Sequence, residues 1–102
     1  MSQFDVFTNP GTARDRAPYI VDVQSDLLDL SMRVVVPLIT PEYFRARMTR
    51  LNPLLEVDNQ SFVFSPTEIA GIAARRLEQR ITNLAVYRGR IVAALDMIIT
   101  GI

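Results

Sequence analysis

The sequence RVVVPLI at residues 33–39 decides how the first part of the chain is interpreted. Three consecutive valines are typical of a strand, because β-branched side chains pack well on a pleated sheet. Pro37 has no backbone N–H, so it predicts a bulge or a sheet edge at that position. The sequence YIVDVQ at residues 19–24 predicts a second strand. QFDVFT at residues 3–8 predicts a third, because its polar and apolar side chains alternate.

The middle of the chain adds a hairpin and less regular segments. Residues 54–57 and 61–64 predict two strands joined at Asp58-Asn59, although the usual Asn-Gly turn is absent. Pro41 after Thr40 predicts a short helix or turn within residues 41–48. Residues 66–72 fit a loop or a helical turn, and residues 73–77 favour a strand slightly over a helix.

Residues 83–99 predict a helix with Asn83 as its N-cap and Gly101 just beyond its end. Its apolar side chains span an arc of about 260°, whereas a helix packed on its own sheet needs about 100° or somewhat more. A second copy across a two-fold axis is the simplest cover for the surplus. The alternative is a monomer that encloses the helix on two sides. The expected dimer contacts are Ile91, Ala94, Leu95 and Ile98.

The composition excludes many familiar activities. The 102 residues suit one domain, and they include no cysteine, no histidine and no lysine, so that all 11 cationic side chains are arginine. Thiolate and imidazole chemistry is therefore absent. The 11 acidic residues bring the net charge to zero, which argues against broad electrostatic capture of nucleic acid or membrane. No signal peptide or membrane span is visible, so we expect a cytoplasmic protein that binds a partner and needs no cofactor or metal.

The aspartates and the arginines each form clusters that are candidate sites. Asp22, Asp26 and Asp29 fit a metal or acid–base site poorly and a solvated turn better, and that turn exposes the leucine pair Leu27-Leu28. Adjacent large apolar residues in a polar turn are typical of a partner surface. Most of the arginines form three groups, which fit solvated faces better than a nucleic-acid groove. The groups are Arg45, Arg47 and Arg50, then Arg75, Arg76 and Arg80, and finally Arg88 and Arg90.

The order of several segments resembles the CcdB family, the toxins of CcdA–CcdB toxin–antitoxin modules. The segments are Phe4 in an opening strand, IVDVQSDLLD at residues 20–29, RVVVPL at residues 33–38, and an apolar helix followed by Gly101-Ile102. The match is weak over residues 40–80. The resemblance implies a mainly β (α+β) fold like that of CcdB and MazF. Such a fold is an SH3-like barrel or twisted antiparallel sheet with a small extra sheet and a C-terminal dimerisation helix.

The resemblance also implies a function without catalysis by this chain. Toxins of this family bind the A subunit of DNA gyrase as homodimers and trap the enzyme on cleaved DNA. A CcdA-like antitoxin neutralises them, and the toxin–antitoxin complex represses its own operon, so DNA is reached only indirectly. The resemblance places antitoxin contacts at Arg14 and Arg16 in the loop over residues 9–18. The implied gyrase contacts are Ser25, Leu27, Leu28, Asp96, Ile99, Thr100, Gly101 and Ile102.

One position departs from the family pattern. The best-known members end in Trp-Gly-Ile, and their tryptophan stacks on an arginine of gyrase, whereas this chain has Thr100 there. Loss of the cation–π contact costs ~0.5–2 kcal/mol, and loss of the buried ring costs a further ~1.5–3 kcal/mol. Two alternatives therefore stay open. One is a member that no longer poisons gyrase, and the other is a MazF- or Kid-like endoribonuclease on the same fold.

Overall fold

The computed structural model describes residues 1–28 and 30–101. In these ranges the chain forms seven strands and one α-helix. They are β1 (Asp5–Thr8), β2 (Tyr19–Asp22), β3 (Met32–Ile39), β4 (Leu54–Val57), β5 (Gln60–Phe64), β6 (Ala70–Ala73), β7 (Arg80–Asn83) and α1 (Arg88–Thr100). Single turns of 3-10 helix lie at Pro41–Tyr43, Pro66–Glu68, Ala74–Arg76 and Ala85–Tyr87.

All the strands belong to one antiparallel sheet with the order β4-β5-β3-β2-β1-β7, and β6 also pairs with β3. The sheet curls into half a barrel, and α1 is the only α-helix in the described part of the chain. The expected mainly β fold class is therefore confirmed. The small extra sheet is continuous with the main sheet here, because β5 of the β4–β5 hairpin pairs with the end of β3.

Pro37 lies where β3 changes neighbours. On one side β3 pairs with β2 from Asp22↔Val35 to Tyr19↔Leu38. On the other side its first half pairs with β6 and its last two residues pair with β5. The Pro37 carbonyl accepts a bond of 3.2 Å from the backbone N–H of Ser65, so its nitrogen faces this second side. The missing N–H thus coincides with the junction between β6 and β5, where a ladder bond is not needed.

The predicted hairpin is confirmed, and its turn shows how it forms without Asn-Gly. Asp58 and Asn59 both have positive φ, at 51° and 65°. These values are those of a type I′ turn, whose twist matches that of the strands beside it. Asp and Asn are the non-glycine residues that best tolerate this left-handed conformation.

The end of the chain differs from the prediction. Residues 80–83 form β7, which pairs with β1, and α1 begins only at Arg88. Asn83 is not a helix N-cap, because its Nδ2 donates to the Gln3 carbonyl and to Asp5 Oδ1 while its Oδ1 accepts from the Ala85 N–H. The strand favoured at residues 73–77 is also wrong. β6 lies earlier, with three of its four residues in the segment interpreted as a loop or helical turn, and Ala74–Arg76 is a 3-10 turn.

The sheet buries side chains on both faces. The larger cluster lies beneath α1, where Ile91 and Ala94 of the helix meet Phe4, Leu38 and Phe64 of the sheet side. The smaller cluster lies on the opposite face and consists of Phe7, Ile20, Val35 and Leu77, with Ile72 packed against it. Consecutive residues such as Val35 and Val36 enter different clusters, as the period of two in a strand requires.

An ion pair is buried between β2 and β3. Asp22 is fully buried, and its Oδ2 lies 2.8 Å from Nε and 2.7 Å from Nη2 of Arg33. Asp22 Oδ1 accepts a bond of 3.0 Å from the Gln24 N–H. Burial raises the pKa of the Asp22 carboxyl above its ordinary value, although the Gln24 N–H and Arg33 oppose that shift. The interpretation of Asp22 as part of a solvated turn is therefore wrong.

We predict that Asp22→Asn lowers the free energy of unfolding by about 3–5 kcal/mol, because it leaves the Arg33 guanidinium buried without a counter-charge. Urea denaturation of the full chain measures the change. Asp15→Asn, which alters an exposed carboxylate, is the control and should change the stability by less than about 0.5 kcal/mol. Equal effects of the two substitutions would contradict the role of the buried pair.

Candidate functional site

The connection between β2 and β3, called the leucine loop below, presents Leu27 and Leu28 to solvent. Leu27 is 93% exposed, and Leu28 is exposed as well. The backbone of the loop is nevertheless tied down. The Leu28 carbonyl accepts bonds from Gln24 Nε2 at 3.0 Å and Arg33 Nη1 at 3.3 Å. Ser25 accepts from the N–H groups of Leu27 and Leu28. Apolar side chains on a fixed backbone bind a partner with little ordering cost.

The leucine loop is also tied to the beginning of α1. Asp26 Oδ1 accepts a bond of 2.7 Å from the Gln3 N–H, and the Gln3 side-chain oxygen accepts one of 3.1 Å from Arg88. The Arg88 guanidinium lies over the Phe4 ring, 5.6 Å from its centroid. Asp29, the third residue of the predicted acidic cluster, lies outside the described residues.

The C-terminal end of α1 presents a second set of the predicted residues. Ile99 is 77% exposed, and Asp96, Thr100 and Gly101 are exposed too. Gly101 has φ of 77°, and its N–H donates to the Met97 carbonyl, which closes the helix. A residue with a Cβ is strained in this conformation, so glycine is needed here. The predicted contact Ile102 lies outside the described residues.

Within one protomer the two sets form separate surfaces. The leucine loop meets the first turn of α1, whereas Thr100 lies about 18 Å further along the helix axis at the standard helical rise.

The four predicted dimer residues divide into two that are buried and two that are at least partly exposed. Ile91 and Ala94 are fully buried against the sheet of their own protomer, so a second copy cannot contact them in this arrangement. The sequence predicts the wide apolar arc of the helix, but the width of the arc does not show which part of it the sheet covers. Leu95 is half-buried, and Ile98 is exposed.

The sequence reasoning missed a group of exposed apolar side chains on β3 and just before β6. Met32 and Val34 lie on one face of β3 and are exposed, and Ile69 just before β6 is exposed as well. α1 packs beside the turn Pro66–Glu68, which directly precedes Ile69. The alternation of residues 32, 34 and 36 was the available signal, because it places Met32 and Val34 on the same face as the core residue Val36.

The two predicted antitoxin arginines have different surroundings. Arg16 binds Glu68 through two bonds of 2.8 and 2.9 Å, and Glu68 also accepts from the hydroxyl of buried Ser65 at 2.7 Å. Arg14 is exposed and lines a cavity of about 540 Å³, called the Arg14 cavity, together with Arg75 and Arg76. The bond from Arg16 holds the pKa of Glu68 below its ordinary value.

The comparison with protein families identifies the group to which this architecture belongs. The family model described as CcdB protein matches residues 3–101 of the 102-residue chain. The chain belongs to the CcdB family. The resemblance found in the sequence is therefore confirmed, including over residues 40–80, where it was weak.

CcdB-family proteins are toxins of toxin–antitoxin systems, and they poison a target rather than catalyse a reaction. The described residues contain no group of three or more acidic residues that could hold a metal ion. No described helix of this CcdB-family chain is long and apolar enough to cross a membrane.

The pair between Arg16 and Glu68 predicts a pH dependence of stability. Because the folded-state pKa of Glu68 lies below its ordinary value of 4.5, the pair stabilises the fold above that pH and loses its effect as the pH falls through the folded-state value. At neutral pH we expect the free energy of unfolding of the wild type to exceed that of Glu68→Gln by less than about 1 kcal/mol. The difference is small because the side chains of Arg16 and Glu68 are both more than a third exposed.

Denaturation at a series of pH values tests this expectation. Arg16→Gln removes the same ion pair, so its free energy of unfolding should also approach that of the wild type as the pH falls. A difference in stability between the wild type and Glu68→Gln that stays constant from neutral pH to well below 4.5 would show that the charge of Glu68 does not stabilise the fold.

Proposed function

We propose that this CcdB-family protein is a toxin that binds the A subunit of DNA gyrase as a homodimer and traps the enzyme with its DNA cleaved. The observation that carries the proposal is the family match over residues 3–101. The cleavage chemistry belongs to gyrase in this proposal, so the toxin contributes binding energy and shape. A MazF- or Kid-like endoribonuclease would instead cleave RNA itself.

The proposed gyrase contacts combine apolar anchors with a closely approaching backbone. Leu27, Leu28 and Ile99 project from fixed backbone, and burying each such side chain contributes about 1.5–3 kcal/mol. Gly101 lets the partner approach the main chain. Ser25, Asp96 and Thr100 supply polar groups beside these anchors, and Ile102 completes the proposed set.

The homodimer in this proposal uses side chains of α1 that its own sheet leaves exposed or half-buried. Ile98 and the half-buried Leu95 remain from the interface expected of the helix. The exposed apolar residues Met32, Val34 and Ile69 enlarge the surface that a second copy would cover. A two-fold toxin on a two-fold target would repeat every contact, which strengthens binding without new residue types.

The antitoxin in this proposal is CcdA-like and acidic where it meets Arg14. Arg75 and Arg76 line the Arg14 cavity beside Arg14 and outnumber its one described acidic residue, Glu78. Arg16 is a weaker candidate, because an antitoxin carboxylate would have to displace Glu68. Contact with DNA would occur only through the toxin–antitoxin complex, and both gyrase and the antitoxin place the toxin in the cytoplasm.

Deletion of residues 100–102 tests the gyrase contact. We expect the full chain to arrest bacterial growth and to produce cleaved DNA with purified gyrase, and we expect the deletion to abolish both effects because it removes the helix-end contacts. Co-expression of a CcdA-like antitoxin should restore growth.

Thermal unfolding and gel filtration of the deleted protein provide the control for folding and dimer formation. A deleted protein that still traps cleaved gyrase would contradict the helix-end contact. RNA cleavage by the full chain without DNA cleavage would favour the endoribonuclease alternative.

A second candidate function is that of a family member with weak or no action on gyrase. The observation that favours it is the Thr100 hydroxyl, which donates a bond of 2.7 Å to the Asp96 carbonyl of its own helix. This position therefore offers a partner one methyl group and the acceptor side of its hydroxyl, where the family tryptophan offers an aromatic ring.

We predict that Thr100→Trp raises potency in the gyrase cleavage assay at least ~30-fold, because it restores a cation–π contact and a buried ring. Thr100→Val is the matched control, since it removes the hydroxyl without adding a ring. If both variants behave like the wild type, residue 100 does not contact gyrase.

A further inference from the structure

A second basic cavity lies between the segment before β4 and the first half of α1. Its volume is about 480 Å³, and we call it the Arg90 cavity. It shares no residue with the surfaces proposed for gyrase or the antitoxin. The described residues that line it are Arg47, Thr49, Arg50, Pro53, Leu54, Arg90 and Ala93.

The loop side of the Arg90 cavity is held by a buried amide. Asn52 is buried, and its side chain donates to the Phe64 carbonyl and accepts from the Met48 N–H, both at 3.2 Å. Arg47 Nη1 donates to the Asn52 carbonyl at 3.2 Å. The segment that carries Arg47 and Arg50 is therefore anchored to β5, and its position does not depend on a ligand.

The helix side is equally fixed. Arg90 and Ala93 are three residues apart on α1 and so lie on the same face of the helix. The Arg90 guanidinium lies 5.6 Å from the centroid of the Tyr87 ring. Tyr87 is itself held, because its hydroxyl accepts a bond from the Glu56 N–H of β4 at 3.4 Å.

The lining of the Arg90 cavity combines concentrated positive charge with apolar side chains. Three arginines line it, and none of its described lining residues is acidic, although the whole chain has no net charge. Pro53, Leu54 and Ala93 provide the apolar surface. Guanidinium groups pair well with carboxylates, and the apolar lining residues suit contact with an aliphatic side chain.

We propose that the Arg90 cavity binds a short acidic peptide segment in which Asp or Glu residues flank an aliphatic side chain. A nucleic-acid strand fits less well, because none of the described lining residues is aromatic and base stacking has no platform there. The site does not depend on gyrase binding, so its test uses no gyrase and can fail or succeed separately.

Fluorescence anisotropy with the full chain tests the site. The probe is a labelled peptide of alternating Glu and Leu. One comparison peptide has Gln in place of Glu, another has Ser in place of Leu, and a single-stranded oligonucleotide is the fourth ligand. We expect saturable binding of the Glu-Leu peptide that weakens with salt, and at least about tenfold weaker binding of the other three.

Substitutions locate the binding. Ala93→Glu places a negative charge on the cavity wall at an exposed helix position, and we expect it to weaken Glu-Leu peptide binding at least about tenfold. Ala93→Gln has nearly the same shape and should bind within about twofold of the wild type. Arg90→Gln should weaken binding as Ala93→Glu does, whereas Arg75→Gln in the Arg14 cavity should not.

Three results would overturn the proposal. They are the absence of saturable peptide binding, equal binding by Ala93→Glu and Ala93→Gln, and tighter binding of the oligonucleotide than of the Glu-Leu peptide. Thermal unfolding of each variant verifies that the fold is intact, and the exposed position of Ala93 makes that outcome expected.

Discussion

The ion pair between Asp22 and Arg33 lies at the point where the sheet of this protein meets the leucine loop. Burying two charges costs several kcal/mol, so the pair persists only because each charge meets the other at close range. The same Arg33 reaches the Leu28 carbonyl, and Gln24 joins Asp22 to that carbonyl from the other side. A polar network in the sheet therefore fixes the backbone of a loop whose apolar side chains remain outside.

The exposed apolar residues follow from the small size of the sheet and of the helix that covers it. Among the described residues of this 102-residue chain one α-helix covers one face of the half-barrel, and its Ile91 and Ala94 side chains pack in the core. What remains apolar at Ile98, Ile99, Met32 and Val34 stays exposed. For a family of toxins that act by binding, these exposed residues are expected to be functional rather than defects of packing.

The sequence predicted the parts of the fold where local preference and pairing agree. β1 to β5 carry β-branched, aromatic or alternating residues, and all five were found. β6 reads Ala-Gly-Ile-Ala, which has little strand preference, and it forms because β3 offers it a partner. Asn83 shows the opposite outcome, because a residue with a high preference for the helix N-cap position is instead the last residue of β7. The role of Asp22 could not be predicted, because its partner is a distant arginine on the next strand.

The change of neighbours at Pro37 makes β3 a branch point. The β4–β5 hairpin is joined to β3 through the register pairs Leu38↔Phe64 and Ile39↔Val63, and β6 is joined through a separate set nearer the start of β3. Because the two attachments share no ladder bond, residues can be inserted into the hairpin without shifting the register of β6. In evolutionary terms the two arms can vary in length independently, so the hairpin can diverge while the leucine loop stays unchanged.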